Sequence, residues 1–169
     1  MYAKKGFTLI ELLVVIAIMA ILFVGVVVML NPLERMQEAR DSKRIQLLQS
    51  VRTAIDIALT DGEITLAGTP QALASGNSKA GTTATDGTGW VKVATVTGKV
   101  GLSKYLPTLP SDPSGAAALG DGLEWVSNGT TYEVKTTFET AKYTADFAAT
   151  DGGGEALKYE VGTNPGLGL

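Results

Sequence analysis

The stretch that decides the fold is Lys4-Lys5-Gly6-Phe7-Thr8-Leu9-Ile10-Glu11-Leu12-Leu13-Val14-Val15-Ile16-Ala17-Ile18. It opens a longer apolar block. From Phe7 to Leu30, 21 of 24 residues are apolar, the exceptions being Thr8, Glu11 and Gly25. Leu12 to Leu30 gives 19 residues without a charge, close to the ~20 that cross a bilayer as a helix. Lys4 and Lys5 in front of the block keep a short N-terminus cytoplasmic. A secretory signal peptide fits poorly. Ala20 offers the last position of a small-x-small cleavage site, but Ile18 stands where a small residue is needed. Ten mostly apolar residues, Ile21 to Leu30, then follow. A single-pass membrane anchor fits well.

Glu11 does not suit a plain anchor. A carboxylate costs about 2.5–3.5 kcal/mol at the centre of a membrane helix on insertion scales, and less near an end. Two readings stand: Glu11 lies at the interface and snorkels, or it meets a partner from another molecule.

At this point the residues resemble a family. The run from Lys4 through Ile18 is similar to the N-terminal motif of type IV pilins and type II secretion pseudopilins. The resemblance implies a leader, residues 1–6, that ends at Gly6. It further implies cleavage between Gly6 and Phe7 by a membrane-embedded aspartyl prepilin peptidase, with N-methylation of Phe7. Glu11 matches the family's glutamate, whose implied partner is the terminal amine of a neighbouring subunit. The physics agrees with that role. A new N-terminal amine, with a reference pKa of about 7.7–8.0, and a carboxylate are each costly alone in apolar surroundings. Paired between subunits they remove both penalties and set the register of one helix on the next. The implied partners are therefore other copies of this chain, the peptidase, an inner-membrane assembly platform, and the bilayer before assembly.

Residues 7–30 are thus expected to form a transmembrane and filament-core helix. Gly25 and Asn31-Pro32 are the expected weak points, since proline lacks an amide donor and disfavours helix at the preceding residue. Many pilins carry a proline where this chain has Val28. Residues 31–61 read as the amphipathic half of the helix. Leu48, Val51, Ile55, Ala58 and Leu59 follow one buried stripe, widened by Leu47 and Ala54. Asp61-Gly62 is the expected stop. A nearly continuous helix from Phe7 to Asp61 would extend about 82 Å. Glu34, Arg35, Glu38, Arg40, Asp41, Lys43 and Arg44 form a charge cluster. It reads first as a solvated helix face with weak local pairs. Pairing between subunits, or contact of its basic members with lipid head groups, is the sharper alternative.

Residues 62–169 are expected to form a head. Of the 28 residues from Gly62 to Gly89, 14 are Gly, Ser or Thr, and this reads as a mobile loop with Leu66 and Leu73 as anchors. Trp90, Val91, Val93 and Val96 suggest a strand. Leu123–Ser127 and Thr131–Thr136 flank Asn128-Gly129, a hairpin signal resting on tolerance of positive φ at both residues. Leu157–Val161 suggests a last strand. A helix followed by a small antiparallel sheet is α+β and resembles the ladle shape of pilins.

Composition excludes much chemistry. The chain has no Cys and no His, so it has no thiol or imidazole nucleophile, no Cys/His metal site and no disulfide. Net charge is −3, and residues 62–169 hold seven basic against eleven acidic side chains, which argues against a nucleic-acid-binding face. The segments Leu106–Pro113 and Asp151–Glu155 lack the spaced carboxylates of a dedicated calcium loop and read as turns. No catalytic residues, cofactor or metal are expected. The expected function is a structural subunit of a type IV pilus-like filament for adhesion, motility or DNA uptake. It would be stored in the cytoplasmic membrane and extracellular after assembly. A type II secretion pseudopilin and a non-polymerising anchored binding domain are the alternatives.

Overall fold

The computed structural model describes residues 6–66, 74–115 and 122–166. The expectations for Lys4, Lys5 and Leu73 lie outside the described residues. The chain divides into two compact units, Met1–Met36 and Gln37–Leu169.

The first unit is helical. Helix α1 spans Leu9–Leu30, and α2, Pro32–Thr60, begins in this unit. Thr8 caps α1 in an extended conformation, φ −81° and ψ 151°. The helix is apolar on all sides, so no face of it is solvated by design. Every described large apolar side chain from Phe7 to Leu30 is exposed, from 40% at Val27 to 89% at Met29. Asn31 ends α1 in the left-handed region, φ 40°, where a short amide side chain is tolerated. Its Nδ2 donates to Glu34 Oε2 at 2.8 Å, which ties the break to the first turn of α2.

The second unit is α+β. The continuation of α2 packs on a four-stranded antiparallel sheet of order β2-β4-β5-β6. These strands are Ala74–Asn77, Leu123–Ser127, Tyr132–Thr137 and Lys158–Gly162. A two-stranded ribbon pairs β1, Ile64–Thr65, with β3, Ala94–Thr95. A one-turn helix α3, Ala141–Tyr143, precedes β6. The expected stripe is the core: Leu48, Val51, Ile55 and Ala58 are all 0% exposed. They pack with Trp90, Leu123, Trp125, Tyr132 and Val134. Trp125 stacks on Tyr132 with centroids 5.1 Å apart, and the Tyr132 hydroxyl donates to Asp56 of α2.

Four expectations are corrected here. Residues 62–89 are not simply a loop, since β1 and the edge strand β2 lie within them. Their small residues serve close packing: a Cβ at Gly76 would sit 1.8 Å from the Trp90 carbonyl oxygen, and one at Gly89 2.0 Å from that of Ala84. Next, the valine alternation after Trp90 yields strand only at Ala94–Thr95. Trp90, Val91 and Val93 are all buried, so irregular backbone satisfies the burial that the alternation encodes. Trp90 Nε1 donates to the Pro110 carbonyl at 3.0 Å.

The hairpin turn also differs. Ser127 pairs with Tyr132, so the connection has four residues. Gly129 alone takes positive φ there, 85°. Asn128 acts instead through its side chain, with Oδ1 accepting from the Thr130 and Thr131 amides at 2.9 and 2.8 Å.

The charge cluster is the largest correction. Glu34, Arg35 and Lys43 are exposed as expected of a solvated face, but Asp41 and Arg44 are 0% and 2% exposed. Arg44 donates to Asp112 at 2.9 and 3.0 Å and to Asp41 at 2.7 Å. Asp41 also accepts from the Glu139 and Thr140 amides at 3.0 and 2.9 Å. Arg40, half-buried, donates to Glu139. Burial acts to raise the Asp112 carboxyl, but hydrogen bonds from Arg44 and Ser114 outweigh it and hold it down at about 2. The partners lie 68 to 99 residues away in sequence, beyond the reach of local charge patterns.

Candidate functional site

The expected site residues Gly6, Phe7 and Glu11 lie together at the start of α1. Gly6 is exposed, and a Cβ built there would meet nothing within 4 Å. Phe7 is 88% exposed. The Gly6–Phe7 peptide thus lies exposed ahead of the first helical turn, outside regular secondary structure.

Glu11 is placed by its own chain. Its Oε2 accepts from the Thr8 amide and from the Thr8 hydroxyl, both at 2.8 Å. The Thr8 Oγ1 in turn accepts from the Glu11 amide at 3.3 Å. This reciprocal arrangement is a capping box, which satisfies two orphan donors of a helix start. The carboxylate also lies at the positive end of the helix dipole. Thr8 is the residue that sequence reasoning left without a role, although a Thr-x-x-Glu spacing ahead of an apolar run was legible in the sequence.

Chemically, the arrangement offers one exposed Gly6–Phe7 peptide, one carboxylate fixed at the helix start, and a helix whose described large apolar side chains are exposed. Gly25 lies inside α1, and the chain leaves helix only at Asn31 before Pro32. These two residues are apart from the processing turn and belong to the course of the helix.

The segment is similar to the start of prepilin-type precursors. Residues 1–27 match the family model for the prokaryotic N-terminal methylation motif, the processing motif of type IV pilins and pseudopilins. The matched span takes in Gly6, Phe7, Thr8, Glu11 and Gly25, and it stops short of Pro32 and of the second unit. Comparison with curated proteins and with solved structures gave no match. The helix that begins within the motif is long and apolar enough to cross a membrane, which fits membrane anchoring.

Proposed function

We propose that this chain is a structural subunit of a type IV pilus-like filament. It is stored in the cytoplasmic membrane through α1 with its N-terminus cytoplasmic. A prepilin peptidase cuts between Gly6 and Phe7 and methylates Phe7. An inner-membrane assembly platform then adds the subunit to an extracellular filament. No catalytic role belongs to the chain itself.

The observation that carries this reading is the union of the methylation motif with a helix exposed on all sides. A plain anchor needs apolar surface, but it has no need of a carboxylate at Glu11 or a processing junction at Gly6. In the membrane, the Thr8 amide and hydroxyl lower the cost of keeping Glu11 charged. In the filament, the methylated amine of a neighbouring Phe7 supplies the full counter-charge. Methylation leaves the amine basic, so the pair survives it.

Mass spectrometry of the N-terminus of the cellular protein tests the reading. The expected mature chain begins at N-methylated Phe7. A chain that keeps residues 1–6 in cells with active prepilin peptidase would contradict it. Gly6→Leu should block the cut and leave the precursor in the membrane.

A further inference from the structure

Side chains alternate along a strand, so Glu133 and Lys135 of β5 and Lys158 and Glu160 of β6 share the sheet face turned from the apolar core. Such a face is ordinarily wet. Here Glu133, Lys135 and Glu160 are only 0%, 3% and 1% exposed. The turn at residues 151–155 lies against them. Asp151 accepts from the Glu160 amide at 2.6 Å and from the Gly153 amide at 2.8 Å. A Cβ at Gly153 would fall 1.6 Å from Glu160 Oε2, so glycine permits this close approach. The turn thereby brings Glu155 onto Lys135.

Glu155 is held between two lysines. Its Oε1 contacts Lys135 Nζ, and its Oε2 lies 3.3 Å from Lys158 Nζ. Lys158 also donates to Glu124 at 2.8 Å. Lys135 Nζ stands 3.5 Å from Glu133 Oε1, and Glu133 Oε2 accepts from the Gly166 amide at 3.0 Å. Glu160 Oε2 accepts from the Glu155 amide at 3.3 Å, whereas its Oε1 is buried with no hydrogen-bond partner. One carboxylate oxygen from each of Glu133, Glu155 and Glu160 lies within 4.8 Å of the others, a range that a direct bond or one bridging water spans. Burial, followed by the charges of Glu133 and Asp151, pushes the Glu160 carboxyl up, toward its neutral acid form. Burial also works against the charge on Lys135, although Glu155 and Glu133 outweigh it and keep that group raised. Lys104 with Glu63 and Lys142 with Glu38 are wet pairs by contrast, their lysines 43% and 62% exposed.

We propose that Lys135 and Glu155 become joined by an amide bond between their side chains, made once by the chain on itself. Glu133 takes one proton from the Lys135 ammonium, and Glu160 gives one to a Glu155 oxygen. The free amine attacks Cδ of Glu155, so that a C–N bond forms. The protonated oxygen then leaves, breaking its bond to Cδ, and takes the proton held by Glu133 to depart as water. The second proton shed by the nitrogen restores Glu160. An ammonium and a carboxylate thus become one neutral amide and one water, with no other reactant. Lys158 beside Glu155 stabilises the negative charge that develops on the acyl oxygen. Contact within one fold replaces a chance encounter, and well-oriented intramolecular groups reach effective concentrations of about 10⁵–10⁸ M. The chain has no cysteine, so this bond would give its head a covalent staple that reductants do not cut. The sequence hid the pair because its members stand 20 residues apart on a strand and a turn, with no motif between them.

The test is the intact mass of the purified full-length chain in detergent micelles. The expected mass lies one water, about 18 Da, below that of the polypeptide. Trypsin should leave residues 105–142 uncut after Lys135 and joined to residues 143–158. Lys135→Arg keeps the positive charge and should restore the full mass, as should Glu155→Ala, and both should melt below the wild type. Glu160→Gln keeps the side-chain shape and should slow the loss of water at least about tenfold. A wild type that holds its full mass after prolonged incubation, with normal cleavage after Lys135, would overturn the proposal. So would a loss of water that persists in Lys135→Arg. Undiminished linkage in Glu160→Gln would overturn the proton path. If the variants fail to fold, the wild-type mass and the joined fragment decide alone.

Discussion

Along α2, Leu48, Val51, Ile55 and Ala58 are wholly buried. Along α1, Leu12, Ile16, Met19 and Phe23 follow a similar spacing and are 59–68% exposed. The residue types are alike, and the difference is what surrounds them. The α2 stripe is narrow, and its own sheet covers it. The α1 surface is apolar all round, so a single sheet would leave most of it bare. A helix of that kind gains its burial from lipid or from other copies of itself. The charges follow the same division. Arg44 is paired within its own chain, whereas Glu11, among the described residues, is met by the neutral donors of Thr8.

The largest effect should come from breaking the internal pairing. Arg44→Leu would strand Asp41 and Asp112 in a buried site, and removal of one partner from such a pair costs about 3–5 kcal/mol. Chemical denaturation of the full chain in micelles should show that loss, and a change below about 1 kcal/mol would mean that the network is not a stabilising core feature. Next, the two helices can be set against each other directly. Ile55→Ala should cost about 2–5 kcal/mol in the same assay. Ile16→Ala should leave head stability unchanged, because Ile16 belongs to the first unit and is 59% exposed. Equal losses at both positions would erase the contrast drawn above.

Acid should act through the same network. The Asp112 carboxyl lies below its ordinary value in the folded chain, at about 2, and Glu139 is also lowered, chiefly by its bond to Arg40. Groups lowered on folding contribute stability above their unfolded pKa of about 4 and lose it as pH falls toward the folded value. Stability should therefore fall between about pH 5 and pH 2. In Asp112→Asn that acid sensitivity should be smaller, and denaturation at several pH values would show it. A smaller loss should come from Asn128→Ala, which removes the acceptor for two turn amides and should cost about 1 kcal/mol without changing the fold.

These contrasts also mark what the sequence could carry. The apolar block, the methylation motif, the buried stripe and the β4–β5 hairpin all rest on local spacing, and local spacing is legible. Partners distant in sequence are not. The Asp41–Arg44 cluster looked solvated because Asp112 and Glu139 reach it only through the fold. The Gly-rich segment before Trp90 looked mobile because small residues signal flexibility and close packing alike. Gly76 and Gly89 are there to let backbone meet backbone. The turn of the hairpin was placed correctly, but the role of Asn128 in it was side-chain bonding and not positive φ. At the start of the chain, the methylation motif that holds Gly6, Phe7 and Glu11 was legible, and the cap by Thr8 was readable from its spacing to Glu11.

The central claim is that Glu11 serves assembly and not anchoring, and Glu11→Leu separates the two. Removing the carboxylate should lower the cost of membrane insertion by about 1–3 kcal/mol and leave cleavage before Phe7 intact. The same change should leave the Phe7 amine of a neighbour without a counter-charge in an apolar filament core. In cells expressing only this variant, we predict normal amounts of cleaved, methylated subunit in the membrane and little or no filament in the sheared fraction. A wild-type yield of filament from those cells would contradict the pairing of Glu11 with Phe7.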